Sequence, residues 1–227
     1  MIKNKTAQLI FQSMFCAIGI LGFIASFGVF EYSFDKNFYV YFTNLSNYFC
    51  IGIMFAELVQ TARKEGNTYV SVAPVVKFVG VLAILLTFLV FHIMLAPTRE
   101  AYLNYLFNSV SLHIILPVMY IADWFLFYEH KKVKWYYPML STIFPICYVI
   151  FIFIRAAILD YNTQDYLIYP YFFLDLEAIG VAGVAKWFGL IAVAFCIMGY
   201  VFMGLDRMIK PLERSKSVLY PEKSDQP

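Results

Sequence analysis

The chain has 227 residues, 62% of them hydrophobic and 14% charged, with a net charge of +2. Soluble domains run at roughly 45–50% and about 25%. Mean hydropathy is +0.70, which excludes an ordinary soluble domain and leaves no room for a large extramembrane one; so small a net charge argues against nucleic acid as a partner.

Crossing a hydrocarbon core of ~30 Å takes about 20 mostly apolar residues. Six stretches qualify, near 7–30, 40–60, 74–95, 104–128, 137–157 and 180–203. The expected fold is an all-α integral membrane bundle of six transmembrane helices over residues 1–210, followed by a disordered tail at 211–227. Lys3 and Lys5 precede the first stretch as in a secretory signal. That stretch is too long for a signal core, and no small-residue cleavage site closes it, so it reads as a retained span.

Lys and Arg set the orientation. With the N-terminus inside, twelve of them fall on the inner side, among them Lys3, Lys5, Arg63, Lys64, Lys131, Lys132, Lys134 and Arg207. The outer side holds Lys36 and Arg99, with Arg155 and Lys186 at span edges, and Lys77 lies at the inner edge of the third span. Both termini are therefore expected in the cytoplasm. The last outer loop, near 159–179, carries an aromatic run that suggests either a segment lying over the outer mouth or an ordinary interfacial belt.

Polar residues within spans are costly and usually face a bundle interior. At helical spacing from Thr43, one face of the second span carries Tyr39, Ser46, Asn47, Cys50, Met54 and Glu57, with Asn44 off that face. Interhelical hydrogen bonds would explain Ser46 and Asn47 singly; the continuous stripe points to a cavity or polar seam. In the fourth span the His113 face carries Tyr102, Ser109, Tyr120 and Trp124, with Tyr105 and Asp123 at its margin. Pro117 would free a backbone carbonyl near His113, and that carbonyl would fix the tautomer of the ring. His92 sits near the outer end of the third span. His130, among Glu129, Lys131 and Lys132, reads as solvated. Glu57 and Asp123, near inner span ends, read as bonded locally, binding a cation or sitting in headgroup water. The four cysteines lie in spans without C-x-x-C spacing, so neither a disulfide nor a metal site is expected.

A hydroxyl nucleophile needs a base, most often His, and donors for the developing oxyanion. Thr43 and His113 fit the first two roles, and Ser46, Asn47, Ser109 and Tyr120 are candidate donors or substrate contacts. The nominal depths differ, ~5 Å for Thr43 against ~15 Å for His113. His92 is nearer Thr43 in depth and is the alternative base. A helix start near Asn37, tilt or a kink at Pro117 would reduce the mismatch.

Three segments carry a family resemblance: Tyr41-Phe-Thr-Asn-Leu-Ser-Asn47, Leu112-His-Ile-Ile-Leu-Pro-Val-Met-Tyr-Ile-Ala-Asp-Trp124, and Tyr169-Pro-Tyr-Phe-Phe-Leu-Asp175 with Ile179-Gly180 following. In order and spacing they resemble the androgen-induced and androgen-dependent TFPI-regulating membrane proteins, most of all the prokaryotic branch. The resemblance implies a six-span threonine hydrolase that cleaves fatty acid esters of hydroxy fatty acids. It places the nucleophile at Thr43 and the base at His113, with a lipid as partner, no cofactor, and a cell-membrane location if the chain is prokaryotic. An acyltransferase on the same dyad is the nearest alternative. A transporter or channel using Glu57, Asp123 and the histidines is another. A haem site between His92 and His113 is disfavoured by a ~10 Å difference in depth.

Overall fold

A computed structural model describes residues 2, 4–32, 34–64, 73–98, 100, 106–159 and 167–209. Among these, six helices are long and apolar enough to cross a membrane: α1 (Lys5–Ala25), α2 (Phe42–Arg63), α3 (Pro74–Thr98), α4 (Phe107–Phe127), α5 (Tyr137–Ile158) and α6 (Leu176–Met208). The expected tail at 211–227, and Tyr102, Tyr105 and Arg99, lie outside the described residues.

Helices answer the demand that lipid places on the backbone, since each satisfies its own N–H and C=O groups. Their boundaries differ from the sequence expectation where local chemistry intervenes. α1 stops at Ala25 rather than near residue 30. Ser26 turns its hydroxyl back to the Phe23 carbonyl at 2.7 Å, and Gly28 takes a left-handed conformation (φ 77°) that ends the helix. α2 begins at Phe42, not near Asn37, because residues 36–40 form turns. α4 begins at Phe107. His113 is thus six residues from its helix start, ~9 Å along the axis, against ~1.5 Å for Thr43 from Phe42, so the helix starts alone trim the expected depth mismatch only slightly.

α1 and α2 pack antiparallel along a seam where Gly19 meets Ile51, and the Lys5 ammonium donates to the carbonyls of Ala62 and Lys64. The α2 stripe is buried as its spacing implies: Ser46, Asn47, Cys50, Met54 and Glu57 are fully enclosed. Phe15, Phe78, Tyr120, Trp124 and Phe195 fill the centre of the bundle. A second apolar cluster gathers Val40, Phe42, Tyr148, Ile152, Tyr171, Phe173 and Leu174 at the Thr43 end.

The segment before α6 folds back onto that end. The Arg155 guanidinium donates to the carbonyls of Leu167 and Ile168 at 2.6 and 3.2 Å, and the Leu167 amide donates to the Asn37 side chain at 3.1 Å. Tyr171, Phe173 and Leu174 are buried beneath it. The described part of the aromatic run thus covers the Thr43 end of the bundle. Asp175 caps α6 by accepting from Glu177 and Ala178. One turn later Gly180 (φ 66°, ψ 172°) breaks the helical path. Only glycine adopts that conformation readily, so Gly180 sets the angle between roof and span.

Candidate functional site

Thr43 lies in the first turn of α2, a helix start with no side-chain cap of its own. Its orphan amides need acceptors, and a remote residue supplies one. The Phe42 amide donates to the Tyr171 hydroxyl at 3.1 Å. That phenol also hydrogen-bonds the Thr43 side chain and meets its backbone. Burial pushes the Tyr171 phenol up to about 12, its bond to Thr43 pulling the other way. Tyr148 from α5 stands alongside and donates to the Val40 carbonyl at 2.9 Å. The turn carrying Thr43 is therefore held by tyrosines from two other parts of the chain.

His113 sits in a π-helical turn, residues Ser111–Ile115. Such turns often mark functional sites, and here Pro117 accounts for it. In this register the Leu116 amide bonds the Ser111 carbonyl. The next acceptor, the Leu112 carbonyl, faces Pro117, which has no N–H to offer. Asn47 fills the vacancy, its side-chain amide donating to Leu112 at 2.9 Å and to the Thr43 carbonyl at 2.8 Å. One amide thus ties the Thr43 turn to the His113 turn. The tautomer is fixed elsewhere than the proline suggested. His113 Nδ1 donates to the Ser109 carbonyl at 2.9 Å, since a carbonyl can only accept. Nε2 then carries the lone pair that a base requires. Phe91, from a matching π-helical turn in α3, lies flat against the ring at 3.7 Å and 17°.

Two chambers meet at Thr43. One, of about 330 Å³, is polar; Thr43, Asn44, Asn108, Ser109, His113, Asp35 and Tyr171 line it. The other, of about 270 Å³, is almost wholly apolar and runs between α2, α3, α5 and α6; Thr43, Tyr171, Phe91 and Leu95 belong to both walls. A hydroxyl at such a boundary can meet a carbonyl whose hydrocarbon lies on one side and whose leaving group lies on the other.

The structure brings Thr43, His113 and Ser109 together in one chamber and separates the other candidates. Ser46 lines neither chamber; its hydroxyl bonds Thr87 at 2.7 Å and the Thr43 carbonyl at 3.0 Å. Asn47 acts as the clamp described above. His92 is exposed, donates Nδ1–H to the Phe88 carbonyl at 2.7 Å and lines neither chamber; the π-helical turn aims Phe91 inward in its place. Tyr120 lies elsewhere, beneath Lys77, whose ammonium is 4.3 Å from its ring centroid. Sequence reasoning missed Tyr171 and Asn44 as chamber residues. The Tyr-Pro-Tyr run flagged the segment of the first, and Asn44 is turned into place by its bond to the Phe38 carbonyl at 2.6 Å.

A second polar centre lies deeper along the bundle. Lys77 is fully buried and donates to Glu57 at 2.7 Å and to Asp123 at 2.6 Å. These acids are ion-paired across three helices, not bonded locally. His130 is not solvated: it is buried and donates to Asp206 at 2.8 Å, which also accepts from the Trp124 indole and the Lys131 amide. None of these groups lines either chamber.

Fold and site together define a six-helix apolar bundle, compatible with a multi-pass membrane protein, that encloses a threonine between a polar and an apolar chamber. No family model matches the sequence, and neither does any curated protein or solved structure.

Proposed function

We propose that the protein is an intramembrane lipid esterase in which Thr43 is the nucleophile and His113 the base. The observation that carries this reading is the position of Thr43 in the wall shared by the His113 chamber and an apolar chamber. The resemblance to the threonine hydrolases of hydroxy fatty acid esters points to the same pair. In the first step Thr43 Oγ1 attacks the ester carbonyl carbon and its proton passes to His113 Nε2. The carbonyl oxygen becomes an oxyanion, and the Tyr171 phenol, neutral and already at Thr43, is placed to donate to it. As the C–O bond to the alcohol breaks, the leaving oxygen takes the proton from Nε2. Water in the polar chamber then gives a proton to Nε2 and attacks the acyl-threonine. The proton returns to Thr43 Oγ1 as the fatty acid leaves.

The positive-charge bias of the sequence supports a cytoplasmic position for both termini, with the Thr43 end toward the outer face, of a cell membrane if the chain is prokaryotic. Fluorophosphonate labelling in detergent tests the dyad. Wild type should label, and both Thr43→Ala and His113→Ala should lose labelling while keeping the wild-type gel-filtration profile. Equal labelling of all three proteins would overturn the assignment.

A further inference from the structure

α5 and α6 approach closely at the level of Gly199. Gly199 of α6 approaches Pro138 so tightly that a Cβ there would lie 2.9 Å from the proline Cβ. Just above that pivot α5 breaks at Thr142, whose hydroxyl turns back to the Met139 carbonyl at 2.6 Å. Beyond the break α5 leans onto α2. Phe144 packs on Phe42 and Phe49 with ring centroids 5.6 and 5.0 Å apart, and Tyr148 packs on Phe42 at 5.1 Å. Over the same stretch α6 is drawn the other way, to the roof, where Trp187 meets Phe172 at 5.5 Å and Phe173 at 6.3 Å.

The apolar chamber fills the gap between them. Pro145, Ile146 and Val149 line it from α5, and Ile191, Ala192 and Cys196 from α6. Ile146 belongs to the chamber wall and is nevertheless 39% exposed on the outside of the bundle. Ala192 and Cys196, one helical turn apart, also belong to a shallow apolar groove on the outer surface of α6. At the gap between α5 and α6, Ile146, Ala192 and Cys196 thus belong both to the chamber that Thr43 lines and to the outer surface of the bundle.

We propose that this gap between α5 and α6 is the lateral entry and binding cleft for the acyl chain of a bilayer lipid. The inference rests on the esterase reading for the chemistry at Thr43. Its occupant follows from the mouth itself, whose side chains offer an entering molecule hydrocarbon contacts, continuous from the bilayer to the nucleophile. A chain that slides in from the membrane never exposes its methylenes to water, where their hydration is unfavourable.

Two measurements on the full chain in phosphatidylcholine nanodiscs test it. The first uses a diazirine-bearing palmitic acid with the Thr43→Ala protein, so that it needs no turnover. Photolabelling should map to the chamber residues around Ile146 and Cys196, be chased by excess palmitate, and be lost in an added Ala192→Trp change. Labelling only on the outer helix surfaces, not chased by palmitate, would overturn the cleft. The second compares 4-nitrophenyl butyrate with 4-nitrophenyl palmitate. Ala192→Trp should lower the palmitate-to-butyrate rate ratio about tenfold or more, because the longer chain alone needs the cleft. An unchanged ratio would overturn it. A protein that binds palmitate in the cleft yet hydrolyses neither ester would keep the cleft and refute the esterase.

Discussion

The side-chain amide of Asn47 donates at 2.9 Å to the Leu112 carbonyl, the acceptor that Pro117 leaves without a partner. The same amide holds the Thr43 carbonyl at 2.8 Å. A proline in one helix and an asparagine in another thus set the relation between the Thr43 turn and the His113 turn. Replacing Asn47 by Leu should leave a buried carbonyl unsatisfied, at about 1–3 kcal/mol. Unfolding in nanodiscs should report that loss. Fluorophosphonate labelling of Thr43 should slow as well, without disappearing. A variant as stable and as reactive as wild type would show that the clamp has no role.

Tyr171 should matter both to turnover and to stability in alkali. Tyr171→Phe keeps the ring and removes the hydroxyl at Thr43. Loss of one oxyanion donor typically costs about 10²–10³ in kcat, and ester hydrolysis should fall on that scale. Burial holds the phenol at about 12, whereas an unfolded tyrosine ionises near 10. Folding therefore favours the neutral phenol. That contribution is complete below about pH 10 and is lost as the pH climbs through about 12. Between those limits wild type should lose more unfolding free energy than Tyr171→Phe. Parallel losses would contradict the assignment.

Lys77 is the counter-charge for two buried acids, so its removal should be severe. Lys77→Met strands Glu57 and Asp123 and should cost about 3–5 kcal/mol. The triple change Lys77→Met, Glu57→Gln, Asp123→Asn removes the charges together and should recover most of that loss. Thermal unfolding of the three proteins is the check. If the single change were the milder of the two, the ion cluster would not be a structural tie.

Gly180 should resist substitution for a backbone reason. A Cβ there meets nothing within 4 Å, yet the residue has φ 66° and ψ 172°. Gly180→Ala should cost about 1–3 kcal/mol and slow labelling of Thr43, because it re-aims the roof that carries Tyr171. Gly204 has equally open surroundings inside the regular part of α6. Gly204→Ala should be neutral or stabilising by up to ~1 kcal/mol. Similar behaviour of the two variants would remove the distinction.

Much of this was legible in the chain. Six apolar stretches of spanning length demand six helices, because lipid leaves the backbone no other partner than itself. The 3.6-residue repeat put Ser46, Asn47, Cys50, Met54 and Glu57 on one face, and all five are buried. Thr43, His113 and Ser109 were candidates by the same counting, and all three line one chamber; the choice of Thr43 and His113 as a pair came from the resemblance, not from the spacing. Periodicity along one helix says nothing, however, about which face meets which neighbour or at what height. Tyr171 is 129 positions from Phe42, whose amide it accepts. Lys77 finds its acids on two other helices. His92 and His113 look alike as intramembrane histidines, and only the π-helical turns turn one outward and the other into the chamber. The sequence determined the spans and the polar stripes, since these depend on hydration and on backbone hydrogen bonds within each segment. The tertiary structure alone decided the shared wall at Thr43 and the gap between α5 and α6, because both arise where separate helices lean together or apart.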